Sequence, residues 1–173
     1  DIQQCQVGNN FVFTNTSTNT LPNATYTWAF GDTDSAFTAV ANHTYASPGP
    51  YTVSLTVQNP GCQKTATQRV AVIDKPVAAF SYPPVICENQ TPIVFQDNSY
   101  VPGGLSPINS WWWQVGNNVS TTTVPATFTA GAGTLPVKMV VTTVDGCQSD
   151  TAKDLLGIHY FPIPKFEYNK RLC

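Results

Sequence analysis

The sequence has few charged residues and lacks the marks of several functional classes. Only 10% of its 173 residues are charged and its formal net charge is −2, so no basic stripe of the kind that binds nucleic acid is present. No apolar run approaches the roughly 20 residues that a helix needs to cross a bilayer. No signal peptide precedes Asp1, so we expect a mature or excised piece without a membrane span.

Helical patterns are also missing, because 14 prolines and 11 glycines punctuate short segments and no long stretch keeps an apolar stripe at helical spacing. Strand periodicity is plain instead. Two alternating apolar sets predict strands with one buried face: Tyr26, Trp28 and Phe30, and then Tyr51, Val53, Leu55 and Val57. With abundant Thr, Asn, Ser and Val, this pattern predicts an extracellular all-β protein.

The five cysteines are spaced as in a repeat. Cys87 follows Cys5 by 82 residues, Cys173 follows Cys87 by 86, and Cys147 follows Cys62 by 85. Other matches agree with this spacing: Phe11–Ser17 aligns with Ile93–Ser99, Trp28 falls on Trp113, and Pro162, Phe166 and Tyr168 stand 86 residues after Pro76, Phe80 and Tyr82. The sequence therefore predicts modules over residues 1–75 and 76–160, the first lacking part of its opening strand, and the opening strand of a third over 161–173.

Repetition also predicts how the cysteines pair. Spacing alone permits several pairings, and one bridge per module favours Cys5 with Cys62 and Cys87 with Cys147. Each bridge would close a loop for which chain entropy contributes roughly 4 kcal/mol. Cys173 would then wait for a partner in the next module. A metal site is disfavoured because there is no Cys-x-x-Cys pair and the two histidines occupy unrelated positions.

The first module contains a set of motifs in a fixed order: Trp28-Ala-Phe-Gly-Asp32, His43-Thr-Tyr45, Pro48-Gly49 and the long strand Tyr51–Val57. With these motifs the module resembles the PKD domain. The second module is degraded, with Val115-Gly-Asn117 and Ala126-Thr-Phe128 at the first two of these motifs. The resemblance implies an immunoglobulin-like β-sandwich of about seven strands per module. Modules with Gly-Cys before the last strand are similar to those of large surface proteins of gliding bacteria that use type IX secretion.

The motif residues have a structural interpretation first. Trp28 and Trp113 fall in phase with buried faces, and Phe30, Tyr45 and Tyr51 are expected in the core beside them. Gly31 and Asp32 suit a turn. His43 is expected to hold a loop by hydrogen bonds, because the sequence shows no nucleophile and orienting acid that would form a catalytic triad with it. Calcium could bind at Asp32 and Asp34, although the second module has Asn117 and Asn118 there; no other cofactor is expected.

Trp112 is the one residue that invites a binding hypothesis. If Trp111 and Trp113 point inward, Trp112 points outward, because neighbours in a strand alternate faces. It would then stack on a sugar or a protein partner, be covered by the loop 100–110, or lie in a contact between modules. We favour the last two.

The sequence thus predicts a non-catalytic segment of a secreted or cell-surface bacterial protein. Its tandem modules would act as an extended stalk or an adhesion-related module, with neighbouring modules, surface glycans or other surface proteins as partners. One alternative is a carbohydrate-binding accessory module of a secreted hydrolase or protease. Another is a filament subunit in which residues 165–173 supply the missing strand of the next molecule.

Overall fold

The protein is built almost entirely of β-strands. A computed structural model describes residues 2–88, 92–121, 127–128 and 130–168. The strands before residue 78 are β1 (Ile2–Cys5), β2 (Phe11–Thr14), β3 (Thr25–Ala29), β4 (Ser35–Ala36), β5 (Val40–His43), β6 (Gly49–Asn59) and β7 (Cys62–Ile73). Those after it are β8 (Phe80–Ser81), β9 (Ile93–Val94), β10 (Gln96–Asp97), β11 (Ile108–Val115), β12 (Asn118–Ser120), β13 (Thr127–Phe128), β14 (Gly133–Thr143) and β15 (Ala152–Ile158). A single 3-10 turn, Pro102–Gly104, interrupts the strands of the described chain. The expected all-β class is confirmed.

None of the described residues forms a helix long and apolar enough to cross a membrane.

The chain divides into two compact units that are not consecutive in sequence. The first comprises Asp1–Ala78, Ser99–Ser110 and Val140–Asp150. The second comprises Ala79–Asn98, Trp111–Met139 and Thr151–Cys173. The module boundaries expected after residues 75 and 160 stay a prediction.

The first unit is a β-sandwich. One sheet has the strand order β1-β7-β6-β3-β4, and β2 pairs with β5 in the other. Because side chains alternate along a strand, every second one lies between the two sheets. Trp28 and Val53 of the first sheet therefore pack with Phe11 and Ala41 of the second in one apolar core. The long hairpin β6–β7 pairs from Gly49 with Val72 to Asn59 with Cys62.

The second unit has a four-stranded sheet in the order β12-β11-β14-β15, with the smaller pairs β10-β8 and β13-β9. The Trp113 side chain is fully buried, and its ring centroid lies 5.3 Å from that of Phe80 and 5.5 Å from that of Phe95. The inward position expected for Trp113 matches this burial.

The expected disulfide pairing is wrong. The structure joins Cys5 to Cys147, with 5.3 Å between their Cα atoms. β1 lies parallel to the end of β7 and sets Cys5 opposite Ile73, whereas Cys62 begins β7, eleven residues earlier. At about 3.3 Å per residue the two cysteines are roughly 35 Å apart along the strand, beyond the reach of a disulfide.

The remaining cysteines follow from that bond. A bridge from Cys87 to Cys147 is not formed because Cys147 is bonded to Cys5. Cys62 is exposed and carries a free thiol, and Cys87 is half-buried. Cys173 lies outside the described residues.

Candidate functional site

The PKD-like motif residues gather around a histidine and an aspartate in the first unit. The Nε2 atom of His43 lies 2.7 Å from Oδ2 of Asp32, so the loop after β3 is bound to the end of β5. The His43 ring stacks on Phe30 with centroids 4.1 Å apart, and Tyr45 meets it edge-on at 4.5 Å. An imidazole packed between two rings, with its nitrogen bound to Asp32, is held in place as a structural group.

Tyr45 contacts both the end of β3 and the start of β6. Its hydroxyl donates to the Phe30 carbonyl at 2.8 Å, and its ring stacks on Tyr51 at 3.8 Å. Burial raises the pKa of the Tyr45 phenol well above its usual range, and the charges of Asp32 and Tyr51 act in the same direction. The pKa of Tyr51 is also raised, chiefly by burial. Both phenols therefore stay neutral and available as hydrogen-bond donors at physiological pH.

Asn9 is a buried polar residue that the sequence reasoning missed. Its Oδ1 accepts from the Tyr45 backbone N–H at 2.8 Å, and its Nδ2 donates to the carbonyls of Tyr45 and Gln6 at 3.0 and 2.8 Å. One side chain thus satisfies three backbone groups. The preceding Gly8, at φ 79°, was the available signal of a tight loop, but nothing in the sequence names its partner.

The turn after β3 depends on Gly31. It lies at φ 91°, and a Cβ placed there would be 2.8 Å from the Thr52 carbonyl oxygen. The Phe30 N–H donates to the Asp34 carbonyl at 3.1 Å, and the Asp34 N–H donates to Oδ1 of Asp32 at 3.3 Å. The predicted Gly-Asp turn is therefore closed by its own hydrogen bonds.

This turn also places three metal-ligating side chains together. One donor atom from each of Asp32, Asp34 and His43 lies within 4.8 Å of the others. The donor set mixes carboxylate oxygen with imidazole nitrogen, whereas Ca²⁺ prefers six to eight oxygen ligands. The cluster fits calcium poorly by this count.

A second candidate site surrounds the disulfide of the first unit. Beyond Cys5, the Gln6 N–H donates to the Ile73 carbonyl at 2.9 Å. Beside Cys147, the Ser106 hydroxyl donates to Asp145, and Lys75 forms an ion pair with Asp150. The bond thus sits among several polar contacts that fix the loop 99–110 and the hairpin around residue 146 within this unit.

The three consecutive tryptophans lie on β11 in the second unit. Trp113 is fully buried, while Trp111 and Trp112 are half-buried. The Trp111 indole donates to Asp97 at 2.8 Å. The Trp113 Nε1 finds no acceptor among the described residues. In the first unit, the indole of Trp28, which aligns with Trp113, donates to the Thr38 carbonyl at 3.0 Å. The position that corresponds to Thr38 falls near residue 123, outside the described part of the chain.

The segment proposed for strand addition is only partly described. Residues 165–168 are exposed and belong to no strand, with Phe166 90% and Tyr168 79% exposed. Residues 169–173 lie outside the described residues.

Comparison with known proteins finds a PKD domain at residues 2–72. No curated protein matches the chain.

Among solved structures, the fibronectin(III)-like modules of Clostridium thermocellum CbhA match with 17% identity over 97% of this chain and 93% of theirs, at a TM-score of 0.43. Three N-terminal domains of the outer capsid protein Hoc of bacteriophage RB49 match with 20% identity over 88% of this chain and 55% of theirs, at a TM-score of 0.44. SGBP-B of the Bacteroides ovatus mixed-linkage glucan utilization locus, solved in complex with a mixed-linkage heptasaccharide, matches with 13% identity over 92% of this chain and 65% of its own, at a TM-score of 0.34. These likenesses are too distant to assign a function.

Proposed function

We propose that the chain is a non-catalytic segment of a secreted or cell-surface bacterial protein, in which tandem PKD-type modules act as a stalk or adhesion-related spacer. The PKD domain at residues 2–72 supports it. The Cys5–Cys147 bond also supports it, because disulfides persist in oxidising compartments outside the cytoplasm. Export by type IX secretion and a part in gliding adhesion belong to the same proposal and rest on the resemblance of the Gly-Cys modules. Proteolysis of intact cells would release the chain if it is surface-displayed and leave it intact if it is cytoplasmic.

The observation that carries the mechanical role is the disulfide itself. It joins residues 142 positions apart, so a force applied between the two chain ends passes through the sulfur atoms and bypasses the residues between Cys5 and Cys147. The bypassed segment includes the whole of β2 to β14. Such a bond sets an upper limit on how far the segment can lengthen under load.

Pulling on the two ends of a single molecule tests this role. In the oxidised protein, we expect only the residues outside the 142-residue loop to extend. The double variant Cys5→Ser/Cys147→Ser should release about 500 Å more, at about 3.5 Å per residue. Cys62→Ser is the matched control and should behave as the unaltered protein. An equal extension in the oxidised protein and the double variant would contradict the role of the disulfide in limiting extension.

Glycan binding is a second candidate function, supported by one residue. Trp112 is half-buried on β11, so part of its ring could stack on a sugar face, as aromatic side chains in binding sites do. Trp112→Ala should abolish binding on a glycan array if this is the site. Trp111→Phe, which removes the bond to Asp97 and keeps an aromatic ring, is the control. Array binding that is unchanged in Trp112→Ala would remove the hypothesis.

Assembly by strand addition through residues 165–173 is a third candidate, supported by the exposure of Phe166 and Tyr168. Replacing both by Ser should prevent concentration-dependent association, measured by sedimentation. A chain that stays monomeric at every concentration would contradict it.

Calcium binding at Asp32 and Asp34 is the remaining proposal about cofactors. If Ca²⁺ binds the folded state there, it must raise the melting temperature, and Asp34→Asn must remove that increase. A melting temperature that does not respond to Ca²⁺ would exclude the site.

A further inference from the structure

In the second unit, an opening strand covers one edge of the core. The centroid of the Phe80 ring on β8 lies 5.3 Å from that of Trp113 and 6.2 Å from that of Phe95. The Tyr82 ring lies 5.6 Å from the Phe95 ring, and its hydroxyl donates to Asp154 of β15 at 2.7 Å. Phe95 and Trp113 are both 0% exposed. A segment with the pattern Phe-x-Tyr therefore closes this edge.

The first unit has matching residues without such a cover. The repeat aligns Phe13 with Phe95 and Trp28 with Trp113. Phe13 is half-buried and Trp28 is 6% exposed. Among the described strands β2 pairs with β5 alone, whereas its counterpart β10 pairs with β8. The outer edge of β2, and the aromatic rings beside it, are therefore not covered by a described strand.

A groove of about 360 Å³ lies at this edge of the first unit. The residues that line it include Phe13 of β2, Trp28 of β3, Leu55 of β6, and Ala66 and Gln68 of β7. Aromatic and aliphatic surface thus lies beside a strand edge, and such an edge can pair with the backbone of another chain. The groove has the two features that an added strand needs.

Gln68 lies in the groove where Asp154 lies in the second unit. Gln68 pairs with Val53 between β6 and β7, and Asp154 pairs with Val137 between β14 and β15. Val53 and Val137 are aligned by the repeat. Since Asp154 accepts a hydrogen bond from the Tyr82 hydroxyl, the Gln68 amide oxygen is placed to accept one from a tyrosine bound in the groove.

The chain carries a second segment with the pattern Phe-x-Tyr. Phe166 and Tyr168 stand 86 residues after Phe80 and Tyr82. They are 90% and 79% exposed and belong to no strand. Burying a large apolar side chain is favourable by about 1.5–3 kcal/mol relative to leaving it in water. This segment is therefore suited in sequence and exposure to fill the groove.

We propose that the groove beside β2 binds residues 165–168 of a second copy of this chain, which add an antiparallel strand to the outer edge of β2. This groove is the acceptor that the strand-addition candidate above requires, and its assignment rests on that candidate. Each copy has one such groove and one such segment. The contact joins unlike surfaces and therefore builds closed rings or open filaments.

The pairing of β8 with β10 gives the register, because it sets Phe80 opposite Asp97. Carried through the repeat, the same register sets Phe166 of one copy opposite Asn15 of the other. The Phe166 ring then fills the groove. Tyr168 lies two residues further on the same face of the added strand, so its hydroxyl reaches the glutamine of the groove.

The size of the contact predicts a reversible association. Each large aromatic side chain buries roughly 150–250 Å², so two of them and the groove surface they cover bury roughly 600–1,000 Å² in total. Stable interfaces bury about 1,200–2,000 Å². The main-chain hydrogen bonds of an added strand contribute further affinity, and we expect association at micromolar concentrations.

Complementary variants test the acceptor. One carries Phe166→Ser/Tyr168→Ser and keeps the groove. The other carries Ala66→Trp, which fills the groove with an indole ring, and keeps the segment. Both carry Cys173→Ser so that this thiol joins no two copies. In sedimentation velocity, we expect a dimer of unlike variants in the mixture, with an affinity at least about tenfold higher than either variant has for itself.

Two further variants control for misfolding and test the register. Arg69→Trp places the same indole on the opposite face of β7, at an exposed position, and should associate as the unaltered groove does. Gln68→Asp puts a carboxylate where the second unit has Asp154. A charge-assisted hydrogen bond is roughly twice as strong as a neutral one, so this change should tighten binding by about threefold or more.

The outcomes that overturn the acceptor differ from those that overturn strand addition. Self-association of Ala66→Trp with the affinity of the unaltered groove would remove the groove as the acceptor and leave strand addition standing. A Cys173→Ser chain that is otherwise unaltered and stays monomeric at every concentration would remove both. Association that Gln68→Asp leaves unchanged or weakens would remove the register, and with it the proposed binding of the segment.

Discussion

At the scale of single residues, the PKD-like motif works as a set of contacts rather than as a reactive centre. Asp32 binds His43, His43 packs on Phe30, and Tyr45 returns to the Phe30 carbonyl. These contacts tie the turn after β3 to the end of β5. The conformation of that turn in turn depends on a glycine.

Gly31→Ala should destabilise the protein by about 1–3 kcal/mol, because it adds left-handed strain for a non-glycine residue and brings a Cβ to 2.8 Å from the Thr52 carbonyl oxygen. Denaturant unfolding measures the change. Gly61→Ala is the matched control, since Gly61 has a similar φ of 86° with no atom within 4 Å of the added Cβ. Equal losses in the two variants would show that the close approach to Thr52 is unimportant.

Some of these positions could be predicted from the sequence and others could not. Alternation along a strand fixes which side chains share a face, and this placed Trp28 and Trp113 in the core, where they are 6% and 0% exposed. The role of Asn9 could not be predicted, because its partner Tyr45 is 36 residues away and no local pattern reports such a contact.

At the scale of elements, strand pairing was the feature that the sequence did not determine. The predicted repeat aligns Cys5 with Cys87, but it gave no information about where β1 pairs along β7. The observed register puts Cys5 opposite Ile73 and away from Cys62, which rules out the expected bridge. The spacing of cysteines along a sequence therefore does not by itself identify a disulfide.

A hydrogen bond between the segment after β8 and β15 gives a pH-dependent contribution to stability. The Tyr82 hydroxyl donates to Asp154 at 2.7 Å. This bond lowers the pKa of Asp154 and is the main cause that raises the pKa of Tyr82 to about 12. The lowered carboxyl pKa gives stability that is lost as the pH falls below about 4. The raised phenol pKa gives stability that is lost as the pH rises from about 10 towards 12.

Tyr82→Phe should therefore lower the free energy of unfolding by a small amount between about pH 4 and pH 10 and by less outside that range. Denaturant unfolding across pH gives the difference from the unaltered protein. Tyr160→Phe removes the same hydroxyl from a 75% exposed side chain and should change nothing. A difference that is constant at every pH would mean that the Asp154 bond does not couple to titration.

At the scale of the whole molecule, one covalent bond defines the mechanical behaviour that we propose. Cys5–Cys147 closes a loop of 142 positions, and chain entropy alone predicts that such a loop stabilises the folded state by about 5 kcal/mol. The bond links the predicted first module to the predicted second, where the repeat pattern had led us to expect one closed loop in each. With one closed loop in each module, the two modules would be limited in extension separately. With the Cys5–Cys147 bond, the residues between these two cysteines are kept from extending as one segment.

Peptide mapping of the oxidised, unreduced protein tests the central claim most directly. Trypsin leaves Cys5 and Cys62 together in the fragment 1–64, because no lysine or arginine precedes Lys64, and releases Cys147 in the fragment 139–153. The account predicts a disulfide-linked pair of these two fragments, with Cys62 open to alkylation before reduction. A fragment 1–64 closed on itself by a Cys5–Cys62 bond, with fragment 139–153 linked to the peptide that contains Cys87, would contradict it.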